Sequence, residues 1–183
     1  GSYLSTVGTR EGDNRSPASI VFIEEEEGDE DDHELAVMVH EYYHVYQNAY
    51  LLDKPTGSQP PAWFMEGGAK LIETLYTEWR PTQYRDKQED PGQLLIYFKE
   101  YADSTGFNFG IDQEYYRDVN PRGTHNYNIA AGAMIYLAHL SSYENVLGMQ
   151  IYRDSYENGW DAAFYETFGM NMAEFYDSLN EFF

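Results

Sequence analysis

Between Asp32 and Leu52 the chain carries apolar residues nearly all the way round a helical wheel: Leu35, Ala36, Val37, Met38, Val39, Tyr42, Tyr43, Val45 and Ala49. A helix apolar on every side is expected to lie buried at the centre of a fold rather than on its surface. Asp32 can cap its start, and Glu34 sits well in the first turn, where the helix dipole favours an anion. Two histidines, His40 and His44, interrupt this apolar segment. Burying two imidazoles costs free energy unless each finds a partner, so the fold must bring partners to them.

The rest of the chain reads as more helices around this one. Ala62 to Trp79 is expected to be helical and to stop before Pro81; Gln93 to Ala102 forms a short helix. Tyr127–Ser142, Glu144–Glu157, Trp160–Phe168 and Met172–Phe183 follow as further helices. Gly159 and Gly169 are placed to end helices, and Asn171 with Glu174 three residues on makes a capping box. Met172, Phe175, Leu179 and Phe182 give the last helix one apolar stripe. Ala18 to Glu24 (ASIVFIE) is the best strand, and an acidic run follows it, with nine of the eleven positions from Glu24 to Glu34 acidic. That run reads as a solvated loop, with a weak cation site as the alternative. The expected fold is mainly α, with a small N-terminal strand region making it α+β. It is one domain over residues 1–183: strand and acidic loop to residue 32, two helices over 33–80, a helical remainder over 81–183.

Composition narrows the function classes. With 11 Lys+Arg against 32 Asp+Glu the formal charge is −21, which repels phosphate backbones and anionic membranes, so nucleic acid is not an expected partner. No apolar run approaches the roughly 20 residues that span a bilayer. With no cysteine there is no disulfide, thiolate metal site or cysteine nucleophile. Eighteen tyrosines, ten phenylalanines and three tryptophans argue against disorder despite the charge; they imply an aromatic core, or alternatively an aromatic-lined cleft. Gly1-Ser2 reads as the remnant of a cleaved tag, and that start together with the acidic balance points to a location outside the cytoplasm. Oligomeric state is not legible.

His40-Glu41-Tyr42-Tyr43-His44 is an HExxH pattern. Histidines four apart on a helix share a face one turn apart, so both rings can reach one cation; zinc–nitrogen bonds of about 2.0–2.1 Å suit the spacing. Chance alone would produce roughly 0.014 such patterns in this composition, which makes coincidence the weaker explanation. Glu41 points to the side of the two rings, near where a metal-bound water would stand, the place of a general base. A catalytic zinc needs a third protein ligand and an open position. Glu66, in Trp63-Phe64-Met65-Glu66-Gly67-Gly68-Ala69, is the candidate: two antiparallel helices with a short linker would bring it to His40 and His44, and Gly67, Gly68 and Ala69 allow a close approach.

HEYYH followed some twenty residues later by WFMEGGA resembles the gluzincin metallopeptidases, the thermolysin- and aminopeptidase-like zincins, whose pattern is HExxH plus a downstream Glu in an E-G-x-A setting. The resemblance spans roughly residues 33–183. It implies a zincin-like catalytic domain holding one Zn²⁺ on His40, His44 and Glu66, with Glu41 as base and a peptide or protein as substrate. It also implies that Glu73 orients a ligand histidine, and that Tyr127 holds the oxyanion, with His125 its rival for that role. Ala130 stands where the family usually has glycine three residues after that tyrosine. No Gly-x-Met-x-Asn element is present to capture a substrate amino terminus, which disfavours an aminopeptidase. His33 reads as exposed and His139 as a core or surface residue. The competing expectations are a zincin-fold binding or scaffold domain without activity, and a zinc hydrolase acting on a non-peptide substrate.

Overall fold

A computed structural model describes residues 31–49, 51, 60–79, 91–109 and 124–182. The strand expected at Ala18–Glu24 and the acidic run up to Glu30 lie outside the described residues. Within them the fold is almost entirely helical and holds no strand. The helices are α1 (Asp31–Asn48), α2 (Ala62–Trp79), α3 (Pro91–Thr105), α4 (Thr124–Leu140), α5 (Tyr143–Leu147), α6 (Met149–Asn158), α7 (Trp160–Phe168) and α8 (Met172–Phe182). No helix among the described residues is long and apolar enough to cross a membrane.

The centre of the fold is α4, not α1. From Ile129 to Ala138 every residue of α4 is buried. It is flanked by α2 and α3, and α1 lies against the other side of α2. α1 turns Ala36, Tyr43 and Gln47 inward, while Tyr42 is 69% exposed and Met38 is 37% exposed. The all-round apolar reading of α1 is thereby corrected. Tyrosine keeps a polar edge that tolerates water, so Tyr42 faces solvent and the apolar face of α1 is narrower than its composition implies.

Two close approaches set the spacing of the layers. A Cβ on Gly67 would stand 2.5 Å from the Ala130 carbonyl oxygen, so only glycine lets α2 and α4 meet there. A Cβ on Gly68 would stand 3.1 Å from Tyr43 Cε1, on the α1 side. The N-terminal turn of α2 is anchored by Trp63, which is stacked on Phe175 (5.5 Å, 17°), meets Phe109 edge-on and donates its indole N–H to Tyr176 Oη at 3.0 Å. Each such ring pair adds about 0.5–1.5 kcal/mol beyond its area burial. Among the described residues, aromatic rings make up much of the core: Trp63, Phe64, Phe98, Phe109, Tyr152 and Phe164 are all fully buried.

The helix expected over Glu144–Glu157 is broken at Gly148, whose backbone is extended (φ −74°, ψ 157°) between α5 and α6. Any Cβ there would meet the Glu144 carbonyl oxygen at 2.3 Å. The break frees the Leu147 carbonyl at the end of α5, and the Tyr43 hydroxyl of α1 donates to it at 3.0 Å. The C-terminal signals read from sequence hold. Gly169 closes α7 in the left-handed region (φ 71°), and the Asn171–Glu174 capping box forms both hydrogen bonds, 2.8 and 3.0 Å. On α8, Phe175 and Leu179 are buried, while Phe182 is half-exposed and tilts onto Tyr136 with centroids 4.6 Å apart.

Candidate metal centre

His40 and His44 stand one turn apart on α1, as the i, i+4 spacing requires, with ring centroids 4.9 Å apart. α2 delivers Glu66 to both. Its Oε2 lies 3.2 Å from His44 Nε2 and 3.6 Å from His40 Nε2. One ligand atom from each of the three residues falls within 4.8 Å of the others. The two imidazoles are nearly covered, at 12% and 13% exposure, while the Glu66 side chain is 31% exposed. The cluster is thus protected on the helix side and reachable from solvent on the carboxylate side.

The far nitrogens are occupied, which leaves the Nε2 atoms for a cation. Glu73, two turns along α2 from Glu66, accepts at Oε2 from His40 Nδ1 at 3.1 Å. Lys70 donates to the other oxygen of Glu73 at 2.9 Å. His44 Nδ1 is 2.7 Å from the side-chain carbonyl of Gln47. Ligating histidines in metal proteins are oriented by such partners on the second ring nitrogen. The residues present therefore suit a divalent metal: two imidazole nitrogens and one carboxylate oxygen converge, with each ring already turned.

Electrostatics follow the same geometry. Burial by itself would lower the His40 pKa, but hydrogen bonds and charge from Glu66 and Glu73 outweigh it and raise the ring to about 9. Burial would raise Glu66, but the two histidines overcome it and hold the carboxyl at about 2. Glu73, likewise buried, is held below the usual carboxylate range by His40 and Lys70. In the metal-free protein the cluster is an imidazolium between two carboxylates, so a proton occupies the place a metal would take.

The remaining expected residues are distributed as follows. Tyr127, at the start of α4, lies edge-on to His40 with ring centroids 5.8 Å apart. Burial, then the charges of Glu66 and Glu41, push its hydroxyl up to about 12, so it stays protonated at neutral pH. Glu41 is half-buried one residue beyond His40, close enough for its charge to act on Tyr127. The His125 backbone falls in the first turn of α4, but its side chain, like that of His33, lies outside the described residues. His139 is exposed on α4, away from the core.

Gln47, Lys70 and Tyr152 were not singled out from sequence. Gln47 is fully buried and donates its amide to the Met65 carbonyl at 2.9 Å and to Tyr152 Oη at 3.0 Å. The available signal was its place three residues after His44, on the same helix face. Compared with protein-family models, curated proteins and solved structures, the chain matches none, so the reading of this centre rests on its geometry.

Proposed function

We propose that the protein is a zinc-dependent peptide hydrolase of gluzincin type, with His40, His44 and Glu66 as metal ligands and Glu41 as general base. The observation that carries this reading is the convergence of three ligand atoms within 4.8 Å from two separate helices, with both Nδ1 atoms already engaged. Two histidines and a glutamate are a donor set of catalytic zinc, which leaves one position open. A zinc ion held there would supply a Lewis acid and bring the pKa of a water near neutrality.

The chain's own groups supply the remaining chemistry. Glu41 takes the proton of the attacking water on a carboxylate oxygen and later gives it to the leaving amine nitrogen. Tyr127 keeps its proton at neutral pH and donates its hydroxyl to the carbonyl oxygen as negative charge develops there; His125 is the alternative donor. Glu73 accepts from His40 Nδ1, and Lys70 keeps Glu73 ionised, so that ring does not turn during the reaction. The half-exposed Glu66 side is where an extended peptide would approach.

The test is elemental analysis of the purified protein together with a chelator-sensitive casein or peptide assay. One zinc per chain and cleavage abolished by chelator are expected. Glu41→Gln should keep its zinc and lose activity by about 10²–10⁴-fold or more. Wild-type turnover in that variant rules out Glu41 as the base. Stoichiometric zinc with no cleavage of any peptide would instead indicate a binding domain, and failure to hold zinc would remove the reading altogether.

A further inference from the structure

We propose that Gln47 is the positioning residue for His44: its side-chain carbonyl holds the imidazole proton on Nδ1 and so presents Nε2, unprotonated, to a metal ion. This rests on the metal-site reading above, and it concerns a residue that HExxH does not contain.

The direction of every hydrogen bond around Gln47 is determined by its neighbours. An amide side chain has a donor end and an acceptor end, and which is which must be argued from the surroundings. Here one end faces the Met65 carbonyl oxygen at 2.9 Å. A carbonyl only accepts, so that end is the NH₂ group. The other end, 2.7 Å from His44 Nδ1, is therefore the carbonyl. It too only accepts, so Nδ1 must carry the proton. With Nδ1 committed to Gln47, the nitrogen left to bind a metal is Nε2, which faces Glu66 at 3.2 Å.

The amide cannot turn over without breaking this arrangement. Gln47 is fully buried, and a flip would set two carbonyl oxygens against each other at Met65. Tyr152, itself fully buried, accepts the second amide hydrogen at 3.0 Å. Gly68 leaves room for the side chain, since a Cβ there would come within 3.3 Å of the Gln47 nitrogen. Met65 immediately precedes Glu66, so one amide ties the His44 ring to the backbone that carries the third ligand. The two histidines are thus oriented differently: His40 by a carboxylate linked to Lys70, His44 by a neutral amide that spans α1 and α2.

The test reads the tautomer directly. Nitrogen-15 NMR of the metal-free protein in alkaline buffer reports which nitrogen of the neutral His44 ring bears hydrogen, and chelator competition gives the zinc affinity. Wild type is expected to show the Nδ1–H form. Gln47→Leu should lose that preference and bind zinc about 10–100-fold more weakly with unchanged helix content. A wild-type Nε2–H ring, or a Gln47→Leu protein binding zinc within about twofold of wild type, overturns the assignment. If Gln47→Leu fails to fold, the wild-type tautomer still decides it. An Nδ1–H ring in a wild-type protein that takes up no zinc would refute the metal centre while leaving the hold of Gln47 on the ring standing, so the two failures are distinguishable.

Discussion

Replacing Gly67 by alanine should separate α2 from α4 and displace Glu66 from its place beside the histidines. The new Cβ would stand 2.5 Å from the Ala130 carbonyl oxygen, 2.7 Å from its carbon and 2.9 Å from Met134 Cγ. A relaxed carbon–oxygen contact is about 3.3–3.6 Å, so the helices must part by roughly 1 Å. Two of the three obstructing atoms are backbone in a fully buried stretch of α4, which no rotamer change can relieve. In an open helix the same change would stabilise by about 0.5–1 kcal/mol, through backbone entropy. Overpacking a tight core costs typically about 1–3 kcal/mol, and a backbone clash belongs at the upper end. The net expectation is a loss of about 1–2 kcal/mol in chemical denaturation of the metal-free protein. Because Glu66 is the adjacent residue, zinc affinity measured by chelator competition should fall about tenfold or more, as misplaced ligands do. A Gly67→Ala protein as stable as wild type with unchanged zinc binding would refute the argument that this contact sets the position of the third ligand.

Gly68→Ala is a milder case: its Cβ would meet side chains at 3.1–3.4 Å, so stability should drop less than for Gly67→Ala, read in the same denaturation series. Glu66→Ala should abolish tight zinc binding while leaving helix content intact by circular dichroism, since its side chain contacts the histidines rather than the core. Tyr127→Phe should hold zinc normally and slow turnover by about 10²–10³-fold with little change in KM, the signature of an oxyanion donor. pH acts on the metal-free protein through His40 and Glu66. His40 is raised from 6.5 to about 9, so its contribution is complete below about 6.5 and is lost as pH rises toward about 9. Glu66 is lowered from 4.5 to about 2, so its contribution is complete above about 4.5 and is lost as pH falls toward about 2. Thermal melts without metal should therefore show this pair contributing most between about 4.5 and 6.5. Zinc must displace the His40 proton, so calorimetry at neutral pH in buffers of different ionisation enthalpy should register close to one proton released, and affinity should climb up to about pH 9. Uptake with no proton release would contradict the raised His40.

The sequence alone determined whatever depends on residues within about one helical turn. His40 and His44 had to share a face of one helix, the Asn171–Glu174 box had to cap α8, and Gly169 had to end α7. The start of α2 directly after Pro61 was legible for the same reason. Burial is another matter, because it depends on what lies against a face and not on the face itself. Leu35–Ala49 and Ile129–Ala138 are both apolar runs, and only packing decided that the second is the enclosed one while Tyr42 meets water. The halt at Gly148 likewise came from a local turn whose freed carbonyl is taken by Tyr43, more than a hundred residues away in the chain. Glu66 and Glu73 reach opposite nitrogens of the same ring because α2 crosses α1 at a spacing that Gly68 permits. Lys70 meets Glu73 one turn along α2 itself, a pairing that spacing alone permits. The role of Gln47 depended on packing: its bond to the Met65 carbonyl is defined by both partners, and α2 brings in the second, so α1 by itself could not assign it.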